Sequence, residues 1–250
     1  MTKVGSGTVI VVGASSGVGA ALAMRLAHEA RRVVLVARRA DELGRVVEEI
    51  NRKVGTTRAH ACVHDVCDID GVAGVLDRIE SEHGAVDELC YAAGVMPEVG
   101  LDEYPTDRDA AMLKVNALGC MAWCNAVVPR FLQRKCGRVV GVTSVAAVRG
   151  RLDRPGYNAS KAAQDAYLEA LRNRIWRHGI QVTTVRLGPT RTPMTEGLEL
   201  PMPITPERAA LGILRARDGR RAIAYVPWKW WPIMTVIRHI PSFLFRRMKV

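Results

Sequence analysis

The sequence lacks the features that would identify a metal-binding, secreted or membrane-spanning protein. Its six cysteines form no C-x-x-C pair and match no zinc-site spacing, so we expect no metal. It has no uncharged apolar run of the roughly 18 residues that a membrane-spanning helix needs. The first residues lack the apolar core and cleavage site of a signal peptide, so we expect a cytoplasmic protein with reduced, mostly buried thiols.

Acidic residues are few relative to basic ones. The chain has 36 Lys and Arg against 25 Asp and Glu, which gives a formal net charge of +11. Such an excess suits an anionic ligand, an anionic membrane or nucleic acid, and it also occurs on surfaces that bind nothing. Because the sequence has neither a lysine-rich tail nor a nucleic-acid-binding motif, we expect no nucleic acid partner.

Short runs rich in valine and isoleucine alternate with segments of helical periodicity. Six strands are predicted, at TVIVVG, RVVLVAR, RAHACVHD, VDELCYAAG, GRVVGVTS and IQVTTVRLG. Such short runs without polar alternation are typical of strands buried on both faces. Long helices are predicted near 107–135 and 155–178. With right-handed crossovers, this order predicts an α/β fold, a doubly wound Rossmann-type parallel sheet with helices on both faces. We expect residues 1–250 to form a single domain.

The stretch GPTRTPMTEGLELPMPITPER contains five prolines and little apolar periodicity. It predicts a long irregular loop over about 188–204 and a helix from about residue 205. Because a long loop inside a compact domain is more often a lid than a plain connector, we expect this loop to cover a substrate.

A glycine-rich turn lies between the first predicted strand and the first predicted helix. In VVGASSGVGAAL, Gly13, Gly17 and Gly19 have the spacing G-x-x-x-G-x-G. Residues without a Cβ let backbone N–H groups and the helix N-terminus approach a pyrophosphate. The strand–turn–helix context favours dinucleotide binding. The alternative is a plain glycine-rich connection.

The end of the second predicted strand selects between nicotinamide cofactors. In LVARRADEL, Ala37 stands where an acidic residue would bind the ribose 2′-hydroxyl of NAD, and Arg38 and Arg39 follow. A guanidinium suits a 2′-phosphate by charge and by geometry, so we predict NADP(H), with Ser15 or Ser16 as a further phosphate contact. The alternative is that the two arginines are merely solvated. The nearby carboxylate of Asp41 leaves NAD as an alternative cofactor.

The stretch YNASKAAQDAY places Tyr157 and Lys161 four residues apart, on one face of a predicted helix. An ordinary tyrosine, with a pKa of about 10, exchanges protons poorly near neutral pH. A nearby ammonium stabilises the phenolate and lowers that pKa, so the pair can act as a general acid and base. The alternative is an exposed helical pair without chemistry.

Two further residues connect this pair to a known family. Ser144 ends the fifth predicted strand thirteen positions before Tyr157, and Asn116 lies on the preceding long helix. The pattern S-x12-Y-x3-K, with this asparagine and the glycine spacing, resembles the short-chain dehydrogenase/reductase family in its branch of chains near this length. Val12 stands where that family's pattern T-G-x-x-x-G-x-G begins with threonine.

The resemblance implies an oxidoreductase that moves a hydride between C4 of a nicotinamide and a substrate carbon. Tyr157 is then the general acid or base, and Lys161 lowers its pKa and bonds the nicotinamide ribose. Ser144 donates a hydrogen bond to the substrate oxygen, where negative charge develops. Asn116 holds a water that links Lys161 to solvent.

The resemblance also implies NADP(H) contacts at other strand ends. Asp65 and Val66 match residues that meet the adenine, and YAAG replaces the family's N-N-A-G, which removes a hydrogen bond that stiffens this turn. In RLGPTRTPM, the backbone near Thr190 and the hydroxyl of Thr192 would fix the nicotinamide amide. The full set implied for the cofactor is Gly13, Ser15, Ser16, Gly17, Val18, Gly19, Arg38, Arg39, Asp65, Val66, Ala92, Ala93, Gly94, Tyr157, Lys161, Gly188, Thr190 and Thr192.

The last segment, residues 225–250, has three tryptophans, two phenylalanines, five Lys or Arg and no acid, and Pro232 and Pro241 divide it. Three interpretations stay open: a cap on the core or a subunit contact, a wall of a lipophilic pocket, or peripheral membrane contact. The segment is similar to that of family members acting on bulky apolar ketones and alcohols. The resemblance therefore implies a small lipophilic carbonyl or alcohol substrate.

Two other functions stand beside an NADP(H)-dependent carbonyl reductase or alcohol dehydrogenase. A non-catalytic NADP(H)-sensing protein is disfavoured because the four catalytic positions are intact. A sugar-nucleotide epimerase is disfavoured by the short chain and by the glycine spacing. Members of the family pair through their two long helices, so the resemblance implies a homodimer or homotetramer.

Overall fold

Seven parallel strands form one sheet in the computed structural model, which describes residues 7–29 and 31–248. In chain order the strands are β1 Thr8–Val12, β2 Arg32–Ala37, β3 Ala59–Val63, β4 Val86–Tyr91, β5 Arg138–Ser144, β6 Gln181–Leu187 and β7 Ile223–Val226. Their order in the sheet is β3-β2-β1-β4-β5-β6-β7, and every neighbouring pair is parallel. The predicted doubly wound Rossmann-type sheet is confirmed.

Helices connect the strands and cover the sheet on both faces. They are α1 Gly17–His28, α2 Ala40–Val54, α3 Val72–His83, α4 Thr106–Leu113, α5 Gly119–Arg134, α6 Pro155–Ile175, α7 Pro206–Asp218, α8 Trp230–His239 and α9 Ser242–Phe245. A π-helical turn, Lys114–Leu118, joins α4 to α5. Short 3₁₀ turns occupy Val145–Ala147, Trp176–His178 and Pro193–Thr195.

Two buried clusters of apolar side chains lie on opposite faces of the sheet. Ile10 of β1 packs with Trp123 and Phe131 of α5. The neighbouring Val11 belongs to the other cluster, together with Leu22 of α1. Successive side chains of a strand point to opposite faces, so the unbroken apolar run of β1 supplies both cores at once.

The strand order reverses its direction at β1. The chain moves outward from β1 through β2 to β3, and then returns to pair β4 with the other side of β1. In such sheets a crevice opens at the carboxyl ends of the strands where the order reverses. The carboxyl ends of β1 and β4 therefore mark the place where a ligand can enter.

The helical stretch Thr106–Arg134 is long and apolar enough, by length and composition alone, to cross a membrane, with a mean hydropathy of 1.3 in its apolar window. Arg130 interrupts the run, so the sequence pattern does not predict a spanning helix. The side chains of Trp123, Val127 and Phe131 are buried in the core beside the sheet. The stretch therefore packs as a core helix.

Tyr91 ties the end of β4 to the π-helical turn. Its side chain is fully buried, and its Oη donates a hydrogen bond of 2.5 Å to the carbonyl oxygen of Val115. A Cβ at Gly119 would lie only 2.4 Å from Oη of Tyr91, so the close approach requires glycine. Burial raises the pKa of Tyr91 well above its ordinary value, and the phenol stays a donor. Tyr91 thus supplies a hydrogen bond near the turn where the resemblance implies that one is missing.

The last part of the chain differs from the sequence-based expectation in two ways. β7 is not predicted, because its four residues lie between basic residues and are too few to show a pattern. Pro232 does not divide the terminal segment, since it lies in the first turn of α8, where a backbone N–H has no helical partner.

The predicted loop over about 188–204 closes on itself at its ends. Thr190 pairs with Ile204 in an isolated parallel bridge. The backbone N–H of Arg191 donates to the carbonyl of Ile204 over 3.0 Å, and the N–H of Ile204 donates to the carbonyl of Pro189 over 3.1 Å. These backbone hydrogen bonds therefore hold the two ends of the loop together.

Replacing Tyr91 with phenylalanine should destabilise the protein by about 1–3 kcal/mol, because the buried carbonyl of Val115 loses its donor. Urea unfolding followed by circular dichroism measures the difference. The control is Tyr104→Phe, since Tyr104 is 90% exposed and its hydroxyl contributes little. Equal free energies of unfolding for the two variants would show that the hydrogen bond does not stabilise this junction.

Candidate functional site

A cleft of about 680 Å³ opens at the carboxyl edge of the sheet, beside the point where the strand order reverses. Asn116 lies behind the cleft rather than in its lining. Every other residue that the sequence analysis assigns to catalysis or cofactor binding lines it: Gly13, Ser15, Ser16, Gly17, Val18, Gly19, Arg38, Arg39, Asp65, Val66, Ala92, Ala93, Gly94, Ser144, Tyr157, Lys161, Gly188, Thr190 and Thr192.

The glycine turn after β1 lies too close to its neighbours for any larger residue. Gly13 has φ +86°, and a Cβ there would lie 2.5 Å from the backbone of Ala93 at the end of β4. Gly17 has φ +56°, and a Cβ at Gly19 would lie 2.2 Å from the carbonyl oxygen of Gly13. The three glycines therefore allow the backbone to bend sharply at the floor of the cleft.

The N-terminus of α1 faces the cleft with its positive end uncompensated. Ser16 is the N-cap residue, but its side chain makes no capping hydrogen bond, and the first turn of α1 contains no acid. The first N–H groups of a helix have no partner within the helix and carry partial positive charge. This turn fits a phosphate group, which would supply the acceptors that the helix lacks.

Arg39 reaches back over the glycine turn. Its Nη2 donates to the Oγ atoms of Ser15, at 2.9 Å, and Ser16, at 3.2 Å. Its Nε also pairs with Glu42 at 3.1 Å, and both side chains are about half exposed. Three hydrogen-bonding side chains therefore meet beside the cleft and fit a ribose 2′-phosphate. Asp41 is exposed and does not line the cleft.

Asn116 is fully buried in the π-helical turn and joins three segments. Its Oδ1 accepts from the N–H of Val95 at 2.8 Å, and its Nδ2 donates to the carbonyl of Val95 at 3.0 Å and to Oγ of Ser160 at 2.9 Å. A Cβ at Gly94 would lie 3.3 Å from this Oδ1 and 3.5 Å from Nζ of Lys161. Asn116 thus holds the end of β4 against α6, close to the lysine.

Lys161 is buried, and its ammonium has two acceptors. Its Nζ donates to the carbonyl of Val142 at 3.2 Å and to Oε1 of Gln164 at 3.0 Å. Burial lowers the pKa of Lys161 to about 8, because the charged form loses its hydration. An anion or a hydroxyl arriving in the cleft would therefore meet an amine that is poised between its two protonation states.

Tyr157 is half-buried in the cleft lining, and two opposing effects act on it. Burial raises its pKa, while hydrogen bonding with Ser144 and the charges of Arg151 and Arg154 lower it. Burial is the larger effect, so the pKa of Tyr157 lies above its ordinary value. This direction is opposite to the one expected from the Tyr157–Lys161 pair alone, because burial outweighs the effects that stabilise the phenolate. The ammonium of Lys161 bonds to Val142 and Gln164.

The loop after β6 lies against the glycine turn from the other side. A Cβ at Gly17 would lie 3.1 Å from Cγ2 of Thr192, so the two segments touch. Thr192 and Thr195 cap the 3₁₀ turn reciprocally. Thr190 is buried, and its Oγ1 donates to the carbonyl of Gly188 at 3.1 Å. These contacts fix the loop beside the phosphate-binding turn.

Part of the cleft has an apolar wall that the sequence analysis did not assign residue by residue. Trp230, Met234 and Ile237 of α8 line it, at a spacing that repeats on one face of a helix. Trp230 lies against Gly188: a Cβ at Gly188 would be 2.4 Å from Nε1 of Trp230, and this buried N–H has no partner within residues 7–29 and 31–248. Val145 packs with Trp230 and Met234, and the cleft lining also includes Met194, Leu198 and Leu200 from the loop after β6.

The family comparison covers most of the chain. Residues 7–202 match the family model described as short chain dehydrogenase. A Myxococcus xanthus protein described as an uncharacterized oxidoreductase is 30% identical over 230 residues, which is 92% of this chain and 90% of that protein. A Mycobacterium tuberculosis protein with the same description is 27% identical over 249 residues, 99% of each chain. The family match ends before the segment that supplies Trp230 and Met234.

Two solved structures share the fold. A variant of actinorhodin polyketide ketoreductase with NADPH has a TM-score of 0.79 and 24% identity, and the match covers 88% of this chain and 95% of that one. L-Sorbose reductase from Gluconobacter frateurii with NADPH and L-sorbose has a TM-score of 0.78 and 24% identity, over 88% and 94%. At this identity the likeness describes the architecture.

Replacing both Arg151 and Arg154 with glutamine should raise the pKa of Tyr157 further, because both guanidinium groups stabilise its phenolate. NMR titration of tyrosine labelled with ¹³C at Cζ measures this pKa, and the spectrum of Tyr157→Phe assigns the resonance. Arg177→Gln serves as the control, since Arg177 lies on Trp176, outside the cleft lining. A pKa that stays constant or falls in the double variant would contradict the electrostatic account.

Proposed function

We propose that this chain, which belongs to the short chain dehydrogenase family, is an NADP(H)-dependent reductase of apolar ketones or aldehydes, also able to oxidise apolar secondary alcohols to ketones. The observation that carries the proposal is the meeting of Tyr157 and Ser144 in one cleft with the glycine turn and the N-terminus of α1. A proton donor, an oxygen-binding hydroxyl and a phosphate-binding turn are the parts that carbonyl reduction needs.

NADP(H), when bound, supplies or accepts the hydride. Tyr157 gives its proton to the substrate oxygen in reduction and takes it back in oxidation. Its raised pKa keeps the phenol protonated at neutral pH, which suits the direction of reduction. Ser144 lies beside Tyr157 and donates a hydrogen bond to the same oxygen as negative charge develops there.

Lys161 and Asn116 support this proton transfer from behind the cleft. With a pKa of about 8, Lys161 is largely protonated at neutral pH and provides positive charge close to the end of β4. Asn116 uses its side-chain amide to hold Val95 and Ser160, which fixes the spacing between β4 and α6. In this proposal Lys161 binds the nicotinamide ribose and Asn116 positions the lysine.

The preference for NADP(H) rests on Arg39, Ser15 and Ser16. Their donors converge beside the N-terminus of α1, where a 2′-phosphate would lie. The absence of an acid at Ala37 removes the group that would bind a 2′-hydroxyl and repel a phosphate. Arg38 lines the same part of the cleft and adds a second positive charge.

The preference for an apolar substrate rests on the wall built by α8 and by the loop after β6. Trp230 and Met234 are buried there with Val145, which follows Ser144 directly. Within this wall the Nε1–H of Trp230 is buried against Gly188, and it has no hydrogen-bond partner among the described residues. The oxidoreductase activity is shared with the family, whereas Trp230 and Met234 lie beyond the part of the chain that matches the family model.

Replacing Tyr157 with phenylalanine should lower kcat for ketone reduction by about 10²–10⁴-fold and leave NADPH binding nearly unchanged, because only the transferable proton is lost. The measurement is NADPH oxidation with a panel of straight-chain and cyclic ketones, together with NADPH fluorescence for binding. Tyr104→Phe provides the matched control. Turnover that survives the Tyr157 substitution would refute the assigned chemistry.

Replacing Arg39 with alanine should raise KM for NADPH about tenfold or more and leave KM for NADH unchanged, because a charge-assisted contact to the 2′-phosphate is removed. Steady-state kinetics with both cofactors measures the ratio. Arg45→Ala is the control, since Arg45 is exposed on α2 and does not line the cleft. Equal effects on the two cofactors would place the 2′-phosphate elsewhere.

A further inference from the structure

Helix α8 has one buried apolar face, and its exposed outer face carries large apolar side chains among polar ones. One face carries Trp230 and Met234, which are 8% and 2% exposed and line the cleft. The exposed outer face carries Trp231 and Val236 at its two flanks, 60% and 65% exposed, with Thr235 and His239 between them. A helix that only caps a core or lines a pocket needs one apolar face, so the outer face is unexplained by the proposed reaction.

Neighbouring residues extend this outer face into a surface. Trp228 precedes α8, and Phe243 and Leu244 lie on α9, all of them exposed. Exposed lysine and arginine side chains lie among these residues. We use the name terminal surface for Trp228, Lys229, Trp231, Val236, Arg238, Phe243, Leu244, Arg246 and Arg247.

The charge of the terminal surface has a single sign. The sequence contains no Asp or Glu after Asp218. Among the ion pairs of the described residues, none includes Lys229, Arg238, Arg246 or Arg247. A second copy of the chain meeting this surface through a two-fold axis would bring like charges together. The uncompensated charge therefore favours an anionic partner.

The terminal surface is fastened to the body of the protein. The guanidinium of Arg149 donates to the carbonyl oxygens of Ile237, at 2.7 Å, and Ile240, at 2.5 Å, at the end of α8. It also lies 4.0 Å from the centre of the Phe245 ring. Arg149 follows the 3₁₀ turn after β5, so the segment that carries Ser144 and the terminal surface hold one another in place.

We propose that the terminal surface docks the protein on an anionic lipid bilayer. Exposed tryptophan and phenylalanine side chains suit the boundary between headgroups and acyl chains, and interspersed lysine and arginine side chains suit lipid phosphates. A soluble acidic protein would account for the cations but not for the exposed aromatic side chains among them. A bilayer is the partner that accounts for both.

Docking through this surface would place the apolar wall of the cleft one helix away from the lipid. Trp230 and Met234 face the cleft from the same helix whose outer face would enter the headgroup region. If the proposed reductase activity holds, a lipophilic substrate dissolved in the bilayer would have a short path to Tyr157. The docking itself requires no turnover, so it can be tested whether or not the reaction is assigned correctly.

The test is flotation of the full chain with vesicles, in density gradients with NADPH present. The wild type should float with vesicles of equimolar phosphatidylcholine and phosphatidylglycerol, and its partition should fall at least about tenfold on phosphatidylcholine alone or at high salt. Trp231→Ser with Phe243→Ser removes apolar contact, and Arg246→Gln with Arg247→Gln removes charge. Each pair should reduce the partition about tenfold or more.

Matched controls distinguish vesicle binding through the terminal surface from nonspecific binding by other exposed aromatic or basic residues. Trp176→Ser removes a tryptophan that is 62% exposed after α6, and Arg45→Gln with Arg52→Gln removes two exposed cations from α2. These variants should float like the wild type, and NADPH fluorescence should confirm that every variant is folded. A wild type that does not float, or terminal variants that float like the controls, would overturn the proposal. So would self-association through this surface without vesicle binding, measured by sedimentation velocity.

Discussion

The close contact between the glycine turn and the end of β4 is the constraint on which the site depends. A Cβ at Gly13 would overlap the backbone of Ala93, and a Cβ at Gly19 would overlap Gly13 itself. Because glycine is the residue that these contacts permit, the turn packs directly against the end of β4, and α1 begins at the floor of the cleft. The positive end of α1, Arg39 and the two serines then face the same space as the carboxyl ends of β4 and β5.

Burial then sets the protonation states in the cleft. It raises the pKa of Tyr157 and lowers that of Lys161, so each group moves toward its neutral form. The simple expectation that an ammonium on the same helical face lowers the tyrosine pKa leaves out this desolvation. Ser144, Arg151 and Arg154 oppose it at Tyr157 without overcoming it. The phenol of Tyr157 therefore stays protonated at neutral pH.

Periodicity and local spacing predicted much of this structure, because they are local properties of the sequence. The strands through β6, the glycine turn and the Tyr157 helix follow from apolar runs and from residue spacing. β7 has too few residues to show a pattern, and it pairs with β6, a strand that lies far from it in the sequence. The hydrogen bond from Tyr91 to Val115 joins residues 24 positions apart, across the π-helical turn, so no local pattern indicates it.

The terminal segment illustrates why composition alone left its three interpretations open. Its aromatic residues are not equivalent: Trp230 is buried beside Gly188, while Trp231, one position later, is exposed. Successive residues of a helix point about 100° apart, so Trp230 can face the cleft while Trp231 faces solvent. Lining the cleft and meeting a bilayer are therefore compatible roles for one helix. The segment lies beyond the family match, so its two surfaces can vary while the rest of the fold is kept.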